Sequence, residues 1–491
     1  LFIEGGWGSL TFAEDQLDTK EMTALQLTEK EYLNLVLEKN DSIRQQKIDQ
    51  MISQEGINNA QSIFEPKLVL NTEKNYGFEQ NDTEEQVRRE YKSEYEFRNT
   101  TYSSAIKGLL PTGTQYSLFY DVKDPANSLQ NLEDYGKEWT TRTGIELTQP
   151  LLKNFGLSAN RAAIALAEDD LGISTERLTK AQMVAAYQAQ ASYAALQQAQ
   201  QGAEMEKNML ELENERIELM KSLANEGRIT EAVLHLTRSQ ALRREARVNA
   251  AYRQLRKISS EMRRLLIGAE NPQMFNVVAV DPVAPPTMPP EWESRPPAES
   301  IQQRPELKEA SLVAKQEDTR LGYARNQALY ELNLRLRAGK SGLGSDFSRS
   351  NDELDSDYDF WTVGAVLTIP LGGAEGKSKV AAAELRRRKA QEKRTSLEML
   401  LKDEILAAQD NVTQSYREMV DFQNAVSALE SAYRENENRF KAGKLNRLDL
   451  LGSQLELIEA RRLLSEKIYE NRRASLELKL ADGRILESAQ R

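Results

Sequence analysis

The chain has 491 residues, a formal net charge of −11, no cysteine and a single histidine. That balance argues against general nucleic-acid binding, which needs a basic surface, and excludes disulfides, thiolate catalysis and cysteine-based metal sites. No run of 18 apolar residues occurs, so no transmembrane helix is expected. With only 14 prolines and abundant Ala, Leu, Glu, Gln, Lys and Arg, the composition favours long helices.

The chain begins at Leu1 with neither Met nor a basic-then-apolar leader, so a processed product with a signal peptide upstream is expected. Residues 1–26 show no sustained period and read as an extended segment. Helical spacing starts near Leu27 and continues to about Phe64, with Thr28 and Glu31 spaced as a capping box. Pro66 stops that helix.

Over 67–149 the period changes to two. Tyr91, Ser93, Tyr95 and Phe97 alternate with Lys92, Glu94, Glu96 and Arg98. Tyr116, Leu118, Tyr120 and Val122 form a second set, and Trp139, Thr141, Thr143, Ile145 and Leu147 a third. Leu109 to Thr114, with Pro111 and Gly113, is a turn signal.

After Pro150 no proline occurs until Pro272, and a long helix pair is expected over 151–267, broken at Gly227. Residues 269–297 read as a linker, because eight prolines between Pro272 and Pro297 forbid regular helix. The second half, 298–491, repeats the plan. A helix with Pro305 in its first turn leads to strands over about 330–369, where Leu332, Leu334 and Leu336 oppose Arg335 and Arg337. A second helix pair over 372–482, broken at Gly443, precedes a C-terminal tail.

Gly144 to Leu151 and Gly364 to Leu371 are near-copies, 220 residues apart, each a strand ending at a proline (Pro150, Pro370) before a long helix. The tip glycines Gly227 and Gly443 keep almost the same spacing, 216. Pro150 to Gly227 is four residues longer than Pro370 to Gly443, about one helical turn. The first half also spends 44 more residues between its strand start and its proline, enough for one more hairpin. A helix of the length expected after Pro370 would run about 110 Å. It must lie beside equally long neighbours, and lone strand pairs must find further strands. Both requirements point to an oligomer with a tube of helices and a tube of strands.

These features resemble the TolC-like outer-membrane efflux protein family, over nearly everything from Leu27 to Gly483. The carriers are Leu147 to Leu152 and Leu367 to Leu371 between strand and helix, and Arg304-Pro305-Glu306-Leu307 with its looser counterpart Lys39 to Ile43. The tip motif from Phe440 to Leu451 is the last. The resemblance implies a mixed α and β membrane protein, a homotrimer with an internal two-fold repeat. Its coiled-coil helical barrel would continue a transmembrane β-barrel in the outer membrane and extend into the periplasm. It implies a passive exit duct docked by a periplasmic adaptor protein and an inner-membrane pump, with no cofactor. The family's two strands per half make twelve in the trimer; the extra 44 residues leave twelve or eighteen open. The rival reading is a soluble periplasmic coiled-coil adaptor or scaffold, which has no use for the alternating segments.

The resemblance also implies a gate. Asp449, six residues past Gly443, would line a periplasmic constriction, although its first-half equivalent is Val233 and a second family Asp is here Gly452. Gly227, Arg228, Gly443 and Lys444 are the helix-tip and adaptor-docking candidates; the glycines also simply permit tight reversal. Pro150 and Pro370 mark the barrel-to-tunnel junction. Tyr91, Tyr95, Phe97, Trp139, Tyr330, Phe360 and Trp361 are candidates for interfacial aromatic girdles, against ordinary sheet packing. Asp352, Glu353, Asp355 and Asp357 lack the spacing of a calcium loop, and His235 has no second ligand of its kind. No nucleophile–His–acid set or phosphate loop is present, so no enzyme is expected.

Overall fold

The computed structural model describes residues 23–128, 130, 136–266, 275–282, 285 and 295–487. Most of the N-terminal extended segment and of the proline-rich linker, with Gly268, therefore lies outside the described residues. In chain order, β1 (Thr23–Leu27), α1 (Glu29–Lys39) and α2 (Asp41–Gln61) come first. Then follow β2 (Lys67–Gln80), α3 (Thr83–Arg88), β3 (Glu94–Leu109), β4 (Gln115–Asn127) and β5 (Trp139–Pro150). A short α4 (Leu157–Asn160) precedes α5 (Ala162–Asn225), α6 (Glu231–Leu266) and β6 (Phe275–Ala279). The remainder is α7 (Pro297–Gln303), α8 (Pro305–Gln327), β7 (Glu331–Gly344), α9 (Phe347–Asp352), β8 (Asp359–Thr368), α10 (Ala374–Lys441) and α11 (Arg447–Ala481).

The chain divides into two compact units. The first comprises residues 1–47, 177–305 and 398–491; the second, 48–176 and 306–397.

In the first unit the core gathers Tyr32, Leu33, Val36 and Ile43 against Ala185, Ala186, Ala189, Tyr193, Leu196 and Met262. The alanines let helices approach closely, and the two tyrosines fill the remaining volume with rings 6.3 Å apart. Both tyrosine hydroxyls find partners, as buried phenols must. Tyr32 donates to the Met262 carbonyl at 3.0 Å. The Tyr193 hydroxyl lies 2.9 Å from the Leu27 carbonyl and 3.0 Å from an Asp281 carboxylate oxygen, and burial pushes its pKa up to about 12. The Asp281 carboxylate also accepts from the Glu29 amide at 2.7 Å. These bonds tie down β1 and β6, which pair in parallel from Thr23 opposite Phe275 to Leu27 opposite Ala279. A strand inside the expected linker is a finding that proline count hides, because β6 occupies its longest proline-free stretch, 273–281.

The expected continuous helix over 27–64 is two helices. Thr28 and Glu31 form the capping box of α1, and Asn40, in extended conformation, ends α1 and caps α2 by accepting from the Ser42 amide at 3.0 Å. Arg304 plays the corresponding part between α7 and α8, with Pro305 as the first residue of α8. Its guanidinium is buried, donates to the Leu480 and Ala481 carbonyls at 3.3 and 3.0 Å, and meets Glu404 at 3.4 Å. It thus adds a charged donor to the last carbonyls of α11, where the Leu480 carbonyl also accepts from the Gly483 amide at 3.1 Å.

The second unit holds one six-stranded antiparallel sheet in the order β2-β3-β4-β5-β7-β8. The extra 44 residues of the first half thus become a further hairpin in the same sheet, turning at Leu110–Thr114, where Gly113 takes φ +95°. Both edge strands, β2 and β8, are exposed and, among the described residues, unpaired on their outer sides.

Candidate functional site

The helix tips, in the first unit, are built alike. Each joins its two helices through five residues, 226–230 and 442–446. Gly227 and Gly443 take φ of +70° and +72°. The Gly227 and Arg228 amides donate to Ala224 and Leu223, and the Gly443 and Lys444 amides to Phe440 and Arg439. This double bond pattern is a Schellman stop, which needs a left-handed residue and therefore glycine. The glycines are structural at this level.

Asp449 sits in the first turn of α11, exposed, its amide donating to the capping Asn446 side chain at 2.8 Å. The positive helix end favours a carboxylate there. The matching position in α6 is Val233, 40% exposed. Among the described residues Arg228 pairs with Glu226 of its own loop, at 3.5 Å. Lys444 is exposed, with no partner among the described residues.

Sequence reasoning missed the tip residue that joins the two helix pairs. Arg447, the first residue of α11, holds Glu215 of α5 at 2.6 Å and lies over the Phe440 ring at 5.8 Å. Farther from the tip, Arg244 of α6 reaches Glu206 of α5 at 3.1 Å and Glu459 of α11 at 3.4 Å. Arg462 closes this network on Glu459 at 3.0 Å. Burial works against the Glu459 carboxylate, yet Arg462 and Arg244 hold its pKa below the ordinary glutamate value. The signal was an arginine at each helix position facing a glutamate, but partners some 230 residues away cannot be assigned from spacing.

In the second unit the strand register gives the sheet two distinct faces. One cross-strand row reads Leu68, Ile106, Leu118, Ile145, Ala338, Trp361; the next row, on the opposite face, reads Lys67, Lys107, Ser117, Glu146, Arg337, Thr362. The apolar row is open to the surroundings, with Leu68 at 67% and Trp361 at 76% exposure. On the polar face Arg337 lies over the Phe119 ring at 4.5 Å and meets Glu146 at 4.0 Å. At one end α9 covers the apolar face: the hydroxyls of Thr141 and Ser350 pair at 2.8 Å, and Tyr120 donates to Asn351 at 2.8 Å.

The girdle candidates divide under this register. Trp139 and Trp361 lie on the apolar face. Tyr95, Phe97 and Phe360 lie on the polar face, with Arg337 and Glu146. Local alternation shows which residues share a face, not which face of the finished sheet that is. Tyr91 is not in a strand: it follows α3 with φ +55°, and Tyr330 precedes β7. The apolar face draws its further aromatics from Tyr76, Phe78, Tyr102, Tyr116 and Tyr120 instead.

The two proline junctions also differ. Pro150 ends β5 and is buried beside Gly113; eleven residues, with α4, then precede α5. Pro370 is exposed, and only three residues separate it from α10. The four-residue surplus of the first half therefore lies in this junction rather than in an extra helical turn, since α5 has 64 residues and α10 has 68. Near the tip α11 buries Leu450, Leu451 and Leu457, while Leu455 and Ile458 are half-buried. Asp352 and Glu353 lie where α9 ends, and Asp355 and Asp357 follow. Among the described residues no group of three or more His, Cys, Asp or Glu is arranged to hold a metal ion.

With its two-faced six-stranded sheet and its helices of 64 and 68 residues, the chain shares its fold with solved outer-membrane channels. The solved structures it matches include a membrane protein from Pseudomonas aeruginosa, at 16% identity over 96% of this chain and 95% of that one, with a TM-score of 0.64. The CmeC outer membrane channel of Campylobacter jejuni matches at 14% identity over 98% and 93%, TM-score 0.60. The outer membrane protein VceC of Vibrio cholerae matches at 16% over 93% and 96%, TM-score 0.60. No protein-family model matches the sequence, and a search of the curated proteins finds no match.

Proposed function

We propose that this chain is one subunit of a passive outer-membrane exit duct with a periplasmic extension, serving an efflux or type I secretion system. The observation that carries the reading is the six-stranded sheet. Its exposed apolar face suits lipid, its polar face suits a wet lumen, and its two open edges would be unsatisfied in lipid and prone to pair with further strands in water. Six alternating strands leave β2 and β8 antiparallel, so copies can close edge to edge. Three copies make an eighteen-stranded barrel, the homotrimer that the family resemblance implies. A coiled-coil adaptor would have no use for such a sheet, and the likeness to outer-membrane channels supports the same reading.

In this reading the internal two-fold repeat is carried by the matching tips, and the helices surround a periplasmic tunnel. Pro150 and Pro370 mark the passage from barrel to tunnel. Trp139 and Trp361 belong to the interfacial girdle. The tips at Gly227, Arg228, Gly443 and Lys444 receive a periplasmic adaptor protein, behind which an inner-membrane pump supplies the cargo. Asp449, repeated in three copies, forms an acidic ring at the entrance, which favours cations. No catalytic step or cofactor is assigned.

Membrane fractionation, heat-modifiable gel mobility and planar-bilayer recording test the duct. Detergent-dependent, heat-modifiable oligomers that conduct are expected; soluble monomers without detergent would end the reading. Asp449→Ala should raise single-channel conductance or weaken divalent-cation block. If neither changes, Asp449 has no part in the gate.

A further inference from the structure

The long helices of the first unit are ordered by their own polar contacts. Arg244 joins α6 to α5 and, across it, reaches Glu459 of α11, Arg447 and Ser465 join α11 to α5, and Lys467 and Arg461 join α11 to α10. The order is α6, α5, α11, α10, so α6 and α10 are the outer members. Their charges are opposite. α6 carries nine Lys and Arg against three Asp and Glu. Residues 398–441 of α10 carry nine Asp and Glu against five Lys and Arg.

The charges also stand on the outward sides. α6 buries Thr237, Ala241, Val248 and Met262. At 3.6 residues per turn the side opposite that seam holds Arg253, Lys257 and Arg264, all exposed. α10 buries Leu401, Ile405, Val412 and Met419. Opposite them stand Asp403, Asp410 and Asp421, again exposed. None of these six charges has a partner among the described residues. Heights agree as well. Counted from Gly227, Arg253, Lys257 and Arg264 lie 26, 30 and 37 residues along α6. Counted back from Gly443, Asp421, Asp410 and Asp403 lie 22, 33 and 40 residues along α10. Each offset is about one helical turn, within reach of a lysine or arginine side chain. Leu242, 66% exposed, and Leu406, 42% exposed, lie on the same two strips.

We propose that the acidic α10 edge of one copy docks on the basic α6 edge of the next, setting Asp421, Asp410 and Asp403 against Arg253, Lys257 and Arg264. The occupant is a second copy of this chain, because the complementary charges sit at matching heights on two different edges. Such a head-to-tail contact repeats until the ring closes, and the two leucines become buried within it. The proposal identifies the seam; that three copies complete the ring rests on the duct reading.

The absence of cysteine makes the test clean. Lys257→Cys and Asp410→Cys are combined in the full chain in detergent and treated with a short thiol-to-thiol cross-linker. Two- and three-chain species are expected from the pair and from neither single variant. Reversing Asp403, Asp410 and Asp421 to Lys should lower the oligomer fraction about tenfold or more. Adding Arg253→Glu, Lys257→Glu and Arg264→Glu should restore it. An oligomer indifferent to the three reversals, whose paired cysteines give no interchain product, overturns the seam. If those unlinked oligomers still conduct, the duct reading stands alone; linked oligomers that do not conduct leave the seam and overturn the duct.

Discussion

Breaking the Arg447–Glu215 ion pair is the most direct probe of the tip as a gate. Arg447 begins α11 and Glu215 belongs to α5, so the pair holds one helix pair to the other beside the proposed entrance. The contact is short, 2.6 Å, but the side chains are 39% and 41% exposed. Solvent screening therefore sets its worth in the exposed-pair range, about 0.5–1 kcal/mol. If three copies open together, the losses add to about 1.5–3 kcal/mol, a shift of about 10- to 150-fold toward the open state. Glu215→Gln and Arg447→Leu should each raise open probability in planar bilayers by that order. The double variant should exceed neither single one, because both remove the same interaction. Arg228→Ala serves as the control, since its partner Glu226 lies in the same loop. Open probability unchanged in both latch variants, with the oligomer intact, would refute the idea that this pair restrains the entrance.

Three other outcomes follow from the geometry. Gly443→Ala meets no atom within 4 Å, so its cost is the left-handed backbone alone, about 1–2 kcal/mol; thermal unfolding should show it, with Gly443→Asn milder. Because the Glu459 pKa is lowered in the folded chain, its stabilisation is present above the ordinary glutamate pKa, about 4.3, and is lost as pH falls through the lower folded value. Acid melting curves should therefore be flatter for Glu459→Gln than for the wild type; parallel curves would contradict the network. Ser117 and Leu118 are adjacent but face opposite ways. Leu118→Arg should reduce the heat-modifiable folded fraction, at a cost of about 2–4 kcal/mol at mid-bilayer, while Ser117→Arg should not. Equal effects would contradict the face assignment, and a larger effect at Ser117 would reverse it.

Much of this protein was legible because its signals are local. The Thr28–Glu31 capping box, the helix start at Pro305 and the stops at Gly227 and Gly443 each depend on backbone dihedrals and bonds within five residues. Alternation likewise marked strands near 116–122, 139–147 and 361–367, since successive strand residues always point to opposite faces. What sequence reasoning could not reach required a partner distant in the chain. β6 is a strand only because β1 lies beside it, and Phe97 belongs to the polar face only because it pairs with Gly77 and Asn127. The Arg447–Glu215 pair spans 232 residues. By itself the sequence determined the capping box, the glycine reversals and the alternation of the main strands, because those features are settled by neighbouring residues. The tertiary structure decided the strand count, the chemistry of each sheet face and the charges left unpartnered on the outer helices, because each depends on which distant segment comes to lie alongside.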